Sequence, residues 1–166
     1  MDKLKKILRK KNKSISSTFI SSYIPRKCGI ATYTKDLTRA INLINPYSKS
    51  EIVALIKPED KIDYPPEVKL KINQYKINSY IKAADYINKS KADIVVLEHE
   101  FGLYGGDFGE YIIKLIELLK KPLIVTTHTI PDLNLYRHFL PTSIISPQNS
   151  CPIITGLSAT LVGTLL

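Results

Sequence analysis

Between residues 16 and 127 the chain alternates two hydrophobic rhythms, and this alternation limits its fold more than any other feature. Short β-branched runs read as strands, and stretches with apolar residues three and four apart read as helices. Strands are expected at Ser16–Ile24, Glu51–Ile56, Val68–Ile72, Asp93–Leu97 and Leu123–Thr127. Helices are expected at Ile30–Ile44, with Ile30, Tyr33, Leu37, Ala40, Ile41 and Ile44 inward, and at Ile77–Ile87, with Ile77, Tyr80, Ile81, Ala84 and Ile87 inward. A third is expected at Gly109–Lys120, carrying Ile112, Ile113, Leu115, Ile116 and Leu119, and Pro122 follows it. The uninterrupted Ile94-Val95-Val96-Leu97 run suits a strand covered on both faces. The order β-α-β-β-α-β-α-β implies an α/β fold, a Rossmann-like parallel sheet flanked by helices with right-handed crossovers. Ligands of such sheets lie beyond the carboxyl ends of the strands.

Composition narrows the function classes. The chain has 166 residues, the size of one domain. Its two cysteines, Cys28 and Cys151, cannot build a disulfide framework or a zinc ribbon. No window has the ~20 uncharged apolar residues of an ordinary membrane span, and no apolar segment follows the basic start as in a secretory signal. A cytoplasmic location is the resulting expectation. The net charge of +9 is unevenly placed. Residues 1–13 hold seven Lys or Arg against one Asp, and the remaining 17 basic and 14 acidic residues leave a body of only +3. A nucleic-acid binder carries its basic stripe across the fold, interleaved with aromatics, so no specific nucleic-acid partner is expected. Three zones follow: a basic lead (1–13), the alternating body (14–130) and an atypical tail (131–166) with no charged residue after Arg137. In the lead, Leu4, Ile7 and Leu8 share one helical face. That pattern suits an anionic membrane surface, although a like-charge run is also a common solvated tail. Pro131, Pro141, Pro147 and Pro152 interrupt the tail, which is expected not to continue the sheet properly and to be cut by protease between Asp132 and Ser150. Its uncharged end, 153–166, could pack on a bare sheet edge.

Three segments after strands carry candidate chemistry. Pro25-Arg26-Lys27-Cys28-Gly29-Ile30-Ala31-Thr32 turns from strand to helix, and the open N–H groups of residues 30–33 would favour an anion. The same segment also serves as an ordinary tight turn. It has neither the three spaced glycines of a dinucleotide site nor the Gly-Lys-Ser/Thr of a P-loop. The stretch Glu98-His99-Glu100-Phe101-Gly102-Leu103-Tyr104-Gly105-Gly106-Asp107-Phe108-Gly109 packs four of the chain's seven glycines into eight residues. This reads as a flexible, closely approached loop with Asp107 capping the next helix. His99 there suits proton transfer; for a metal it lacks a second histidine at ligand spacing. His128, in Thr126-Thr127-His128-Thr129, sits at the end of the last strand.

Together the stretches IPRKCGIATYTKDLTRAI (24–41), IVVLEHEFGLYGGDFGEYI (94–112) and KPLIVTTHT (121–129) resemble the amino-terminal half of glycosyltransferase family 4 enzymes. The resemblance covers roughly residues 16–130. It implies the amino-terminal half of a GT-B fold and sugar transfer, with retention, from a nucleotide-sugar to a glycan or lipid-linked acceptor, without metal or other cofactor. It implies His99, Glu100 and His128 as catalytic residues, and Gly29, Ile30, Ala31, Thr32, Gly105 and Gly106 as substrate-binding residues. The family's donor-binding domain with its Glu-x7-Glu motif has no counterpart here, and the likeness stops near Ile130, as in a truncated or frame-shifted copy. The expectation is therefore a chain inactive alone. A non-catalytic binding or partner domain that retains the fold is the alternative.

Overall fold

The computed structural model describes residues 14–129 and 160–161. Its elements are β1 (Ser17–Ser21), α1 (Gly29–Ile44), β2 (Glu51–Ile56), β3 (Val68–Asn73), α2 (Ile77–Lys89), β4 (Ile94–His99), α3 (Tyr111–Leu118), β5 (Leu123–Thr127) and β6 (Thr160–Leu161), with one 3-10 turn at Asp107–Gly109. The strands lie in the order β3-β2-β1-β4-β5-β6. The first five are mutually parallel, and β6 pairs antiparallel with β5. The chain is thus an α/β protein with a Rossmann-like parallel sheet. The basic lead and the stretch 132–150 lie outside the described residues. Of the tail, Thr160–Leu161 forms a two-residue antiparallel strand at the β5 edge, not a further parallel repeat.

Strand position explains composition. Every residue of the central β1 is buried, and β4 is buried from Val95 through Glu98. β3 alternates because it is half covered, with Lys69 and Lys71 exposed along it. Charged side chains on an outer strand discourage pairing with other chains.

Two apolar layers flank the sheet. The larger holds Ile20, Val53, Leu55, Ile72, Val95, Leu97 and Leu123 against Tyr80, Ala83, Ala84 and Ile87 of α2 and Ile112 and Leu115 of α3. Full enclosure of each large aliphatic side chain contributes about 1.5–3 kcal/mol. On the other face Phe19, Tyr23, Ile52, Ala54 and Val96 meet Leu37 and Ile41 of α1.

The helix faces depart from the simplest periodic reading. Ile77 and Ile81 are partly exposed on α2 (42% and 37%), and Ala83 takes the inward place. In α1 the buried stripe is Ala31, Thr34 and Thr38, whereas Tyr33, Ala40 and Ile44 face outward. The two threonines are tolerated because their hydroxyls are bonded. Thr34 reaches the Ile30 carbonyl and the Ser21 hydroxyl (2.8 and 2.7 Å), and Thr38 reaches the Thr34 carbonyl (2.8 Å). The expected third helix divides into the 3-10 turn and α3, because Phe108 and Gly109 both adopt positive φ. Asp107 makes no side-chain cap at either start; Gly106 and Glu110 are the flanking residues.

The chain runs outward from β1 through β2 to β3, then crosses back to β4 on the other side of β1, and this reversal of strand order places a crevice at the carboxyl ends of β1 and β4. Tyr33, from the segment after β1, meets His128, from the segment after β5, there.

Candidate functional site

The site begins with a change of side-chain face along β4. Val96 packs in the α1-side layer, and Val95 and Leu97 in the opposite one. Glu98 therefore falls on the α1 side and His99 on the other. The β4–β5 register sets Glu98 beside Thr126 and His99 beside Thr127. One residue further, His128 donates its backbone N–H to the His99 carbonyl (2.9 Å), which extends the pairing past the end of β5.

This extension brings the His128 ring to Glu98. The Nε2 to Oε2 distance is 2.9 Å; the Glu98 side chain is fully buried and that of His128 is 15% exposed. Tyr33, on α1, presents its ring edge-on to His128 with centroids 4.7 Å apart and planes at 84°. Burial is the largest influence on Glu98 and raises its pKa, while the bond and charge of His128 and the Thr126 hydroxyl pull it back. The second carboxylate oxygen, Oε1, is buried without a hydrogen-bond partner.

His99 occupies a separate pocket. Its ring stacks on Tyr104 (5.7 Å, 20°) and meets Phe101 edge-on (5.4 Å). Desolvation lowers its pKa first, Glu100 opposes that, and His128 adds to it. Its Nδ1 is buried and unpartnered. An orphaned polar atom costs about 1–3 kcal/mol unless a ligand or water meets it. The two strand-end histidines are joined through the backbone, and their rings have different neighbours. Glu100 is apart from both hydrogen-bond sets: it accepts from the Thr129 hydroxyl (2.7 and 2.8 Å) and from the Phe101 N–H (3.0 Å).

The β1–α1 turn is more specific than expected. Cys28 is the N-cap, its Sγ accepting from the Ala31 N–H (3.4 Å) and contacting the Ser22 hydroxyl (3.0 Å). The Thr32 amide is taken by the Cys28 carbonyl. The open amides are thus at Gly29 and Ile30, not across residues 30–33. Ala31 is fully buried, so its side chain belongs to the core. Thr32 is exposed, with its hydroxyl 3.5 Å from the Cys28 carbonyl. A Cβ built on Gly29 would meet nothing within 4 Å. Packing therefore does not demand glycine there, whereas close approach by a ligand would.

Gly105 and Gly106 are the opposite case. A Cβ on Gly105 would lie 1.9 Å from the Gln74 carbonyl oxygen. Gly106, at φ 84°, would bring one within 2.8 Å of Glu110 and Tyr111. The loop is fastened, not loose. The Tyr80 hydroxyl donates to the Gln74 carbonyl and accepts from the Gly105 N–H (both 2.9 Å), and Gln74 Nε2 donates to the Gly102 carbonyl (3.0 Å). Burial drives the Tyr80 pKa up to about 12.

Sequence reasoning missed Glu98, Tyr33, Tyr80 and Tyr104 as parts of this region. The signal for Glu98 was present: an acid directly after four apolar residues of a central strand must be buried and paired if the strand runs on. Among the described residues no group of three or more metal-ligating side chains occurs, and no helix is long and apolar enough to cross a membrane. Compared with protein-family models the chain matches none, and no curated protein is significantly similar to it.

Proposed function

We propose that the chain is a glycosyltransferase-like domain whose crevice, at the carboxyl ends of β1, β4 and β5, takes a nucleotide-sugar and a glycan or lipid-linked acceptor. The observation that carries this reading is the Glu98–His128 pair, held at adjacent strand ends with Tyr33, from α1, whose first turn also bears the open Gly29–Ile30 amides, against the His128 ring. The pair offers a nitrogen to a sugar hydroxyl, and the amides offer a partial positive charge to a phosphate. His128, His99 and Glu100 are the proposed reacting groups, with no metal or other cofactor. The described residues build one wall of a crevice. Transfer needs a second wall that excludes water and donates to the leaving diphosphate, so binding without sustained turnover is the behaviour proposed for this chain alone. The basic lead is the proposed contact with an anionic membrane surface, giving a cytoplasmic, peripheral protein.

The test is titration of UDP-, GDP- and ADP-sugars, followed by amide shifts in an NMR spectrum. Saturable shifts confined to 28–33, 98–100 and 126–129 are expected. No shift with any of them ends the proposal, and sustained transfer that is lost in His128→Ala overturns the binding-only part.

The second reading is a non-catalytic partner domain that keeps the fold. It is favoured by Gly105 and Gly106, whose backbones are accounted for by contacts inside the domain.

A further inference from the structure

Among the described residues Glu98 is the only carboxylate, ammonium or guanidinium that is buried. Enclosing a carboxylate is costly, and an apolar residue of similar volume would usually serve stability as well or better. Val96, on the same face one step earlier, shows what the layer otherwise accommodates. The domain also leaves the carboxylate incompletely satisfied, since Oε1 is buried without a hydrogen-bond partner. Besides the Thr126 hydroxyl, the Glu98 side chain bonds His128, whose placement is fixed from two further directions. The His128 backbone is tied to the His99 carbonyl, and the Tyr33 edge closes one side of the ring. Nδ1 of His128 has no hydrogen-bond partner among the described residues and is not among the enclosed unpartnered atoms.

We propose that Glu98 is a positioning residue: by accepting from Nε2–H it holds the neutral His128 ring in one tautomer, with Nδ1 as the open proton acceptor of the crevice. An ionised carboxylate has no proton to give, so the nitrogen it bonds must carry one, and in the neutral ring the other nitrogen then carries a lone pair. The ligand group suited to Nδ1 is a neutral hydroxyl. A phosphate is unsuited, because its ionised oxygens are acceptors set against an acceptor nitrogen, with the negative charge of the carboxylate behind the ring. This assigns the hydroxyl-bearing part of a ligand to His128 and leaves an anionic part to the Gly29–Ile30 amides; that assignment rests on the sugar-nucleotide reading, whereas the tautomer does not.

Long-range proton–nitrogen NMR of the full chain at about pH 8, above the ordinary imidazole range near 6.5, reads the tautomer directly. For His128 a pyrrole-type Nε2 and a pyridine-type Nδ1 are expected in the unmodified protein. The reverse pattern, or the averaged shifts of a ring exchanging between tautomers, overturns the proposal whether or not any variant folds. In Glu98→Gln, whose amide both donates and accepts, the single pattern is expected to be lost while backbone amides away from 98 and 128 keep their shifts. A folded Glu98→Gln with the His128 pattern intact also overturns it. Inorganic phosphate is expected to leave both ring nitrogens unmoved; protonation of Nδ1 on adding phosphate contradicts the hydroxyl assignment. None of these readouts uses a nucleotide-sugar, so their failure is distinct from failure of the proposed function.

Discussion

His99 and Glu98 are neighbours in sequence with opposite titration behaviour, because burial disfavours the charged form of each. For His99 the folded pKa is lowered from about 6.5. Above that value both folded and unfolded states hold it neutral. Below it, the unfolded chain takes up a proton that the folded one refuses, so stability falls as pH drops through and below 6.5. For Glu98 the folded pKa is raised from 4.5. Its contribution is present below 4.5 and is lost as pH rises through the folded value, the reverse slope. Urea unfolding between about pH 7.5 and 5 follows the His99 contribution. His99→Phe, which keeps a ring against Tyr104, is expected to flatten the acid-side fall. An unchanged slope in that variant means that the burial of His99 has no energetic weight. The sequence allowed His99 to be noticed but not its neighbours, since Tyr104 and Phe101 reach it only once the loop has folded back.

At the scale of elements, the strands were legible because burial on two faces requires unbroken apolar runs and burial on one requires alternation. Glu51–Ile56 and Leu123–Thr127 were read to the residue. The inward faces of α1 and α2 were less legible: hydroxyls of Thr34 and Thr38, bonded locally, occupy places that a hydrophobicity pattern assigns to Tyr33 and Ala40. The glycines show a different limit. Density in the 102–109 stretch pointed to a ligand, yet Gly105 is required by the Gln74 carbonyl and Gly29 by nothing within the domain. Alanine substitutions should therefore have opposite effects. Gly105→Ala is expected to destabilise by about 3 kcal/mol, the upper end of overpacking. Gly29→Ala, at the first helical position with negative φ, is expected to be neutral or to stabilise by about 0.4–1 kcal/mol, while weakening any ligand that approaches its amide. Thermal melts of both variants, alongside the nucleotide-sugar titration of Gly29→Ala, measure this. If the two variants lose similar stability, the distinction between packing and binding glycines is wrong.

Over the whole described molecule the two sides of the sheet are unequal. One side carries α2 and α3, bound to each other through the Tyr80–Tyr111 ring contact and the bonds of Asn88 to Leu118 and Lys120. The other carries α1, whose buried stripe is an alanine and two threonines. Apolar enclosure is correspondingly smaller there. Local opening free energies follow enclosed apolar contact, so amides of α1 are expected to exchange with deuterium sooner than those of α2, β1 or β4. Equal protection across the three helices would show that α1 is held by something other than its described contacts. The difference has a temporal meaning for the crevice. Glu98 stands on β4, which is expected to open late, and Tyr33 stands on α1, which is expected to open sooner. The edge of Tyr33 would then leave His128 each time α1 breathes, so solvent access to that imidazole becomes intermittent, timed by one helix while the nitrogens stay in register.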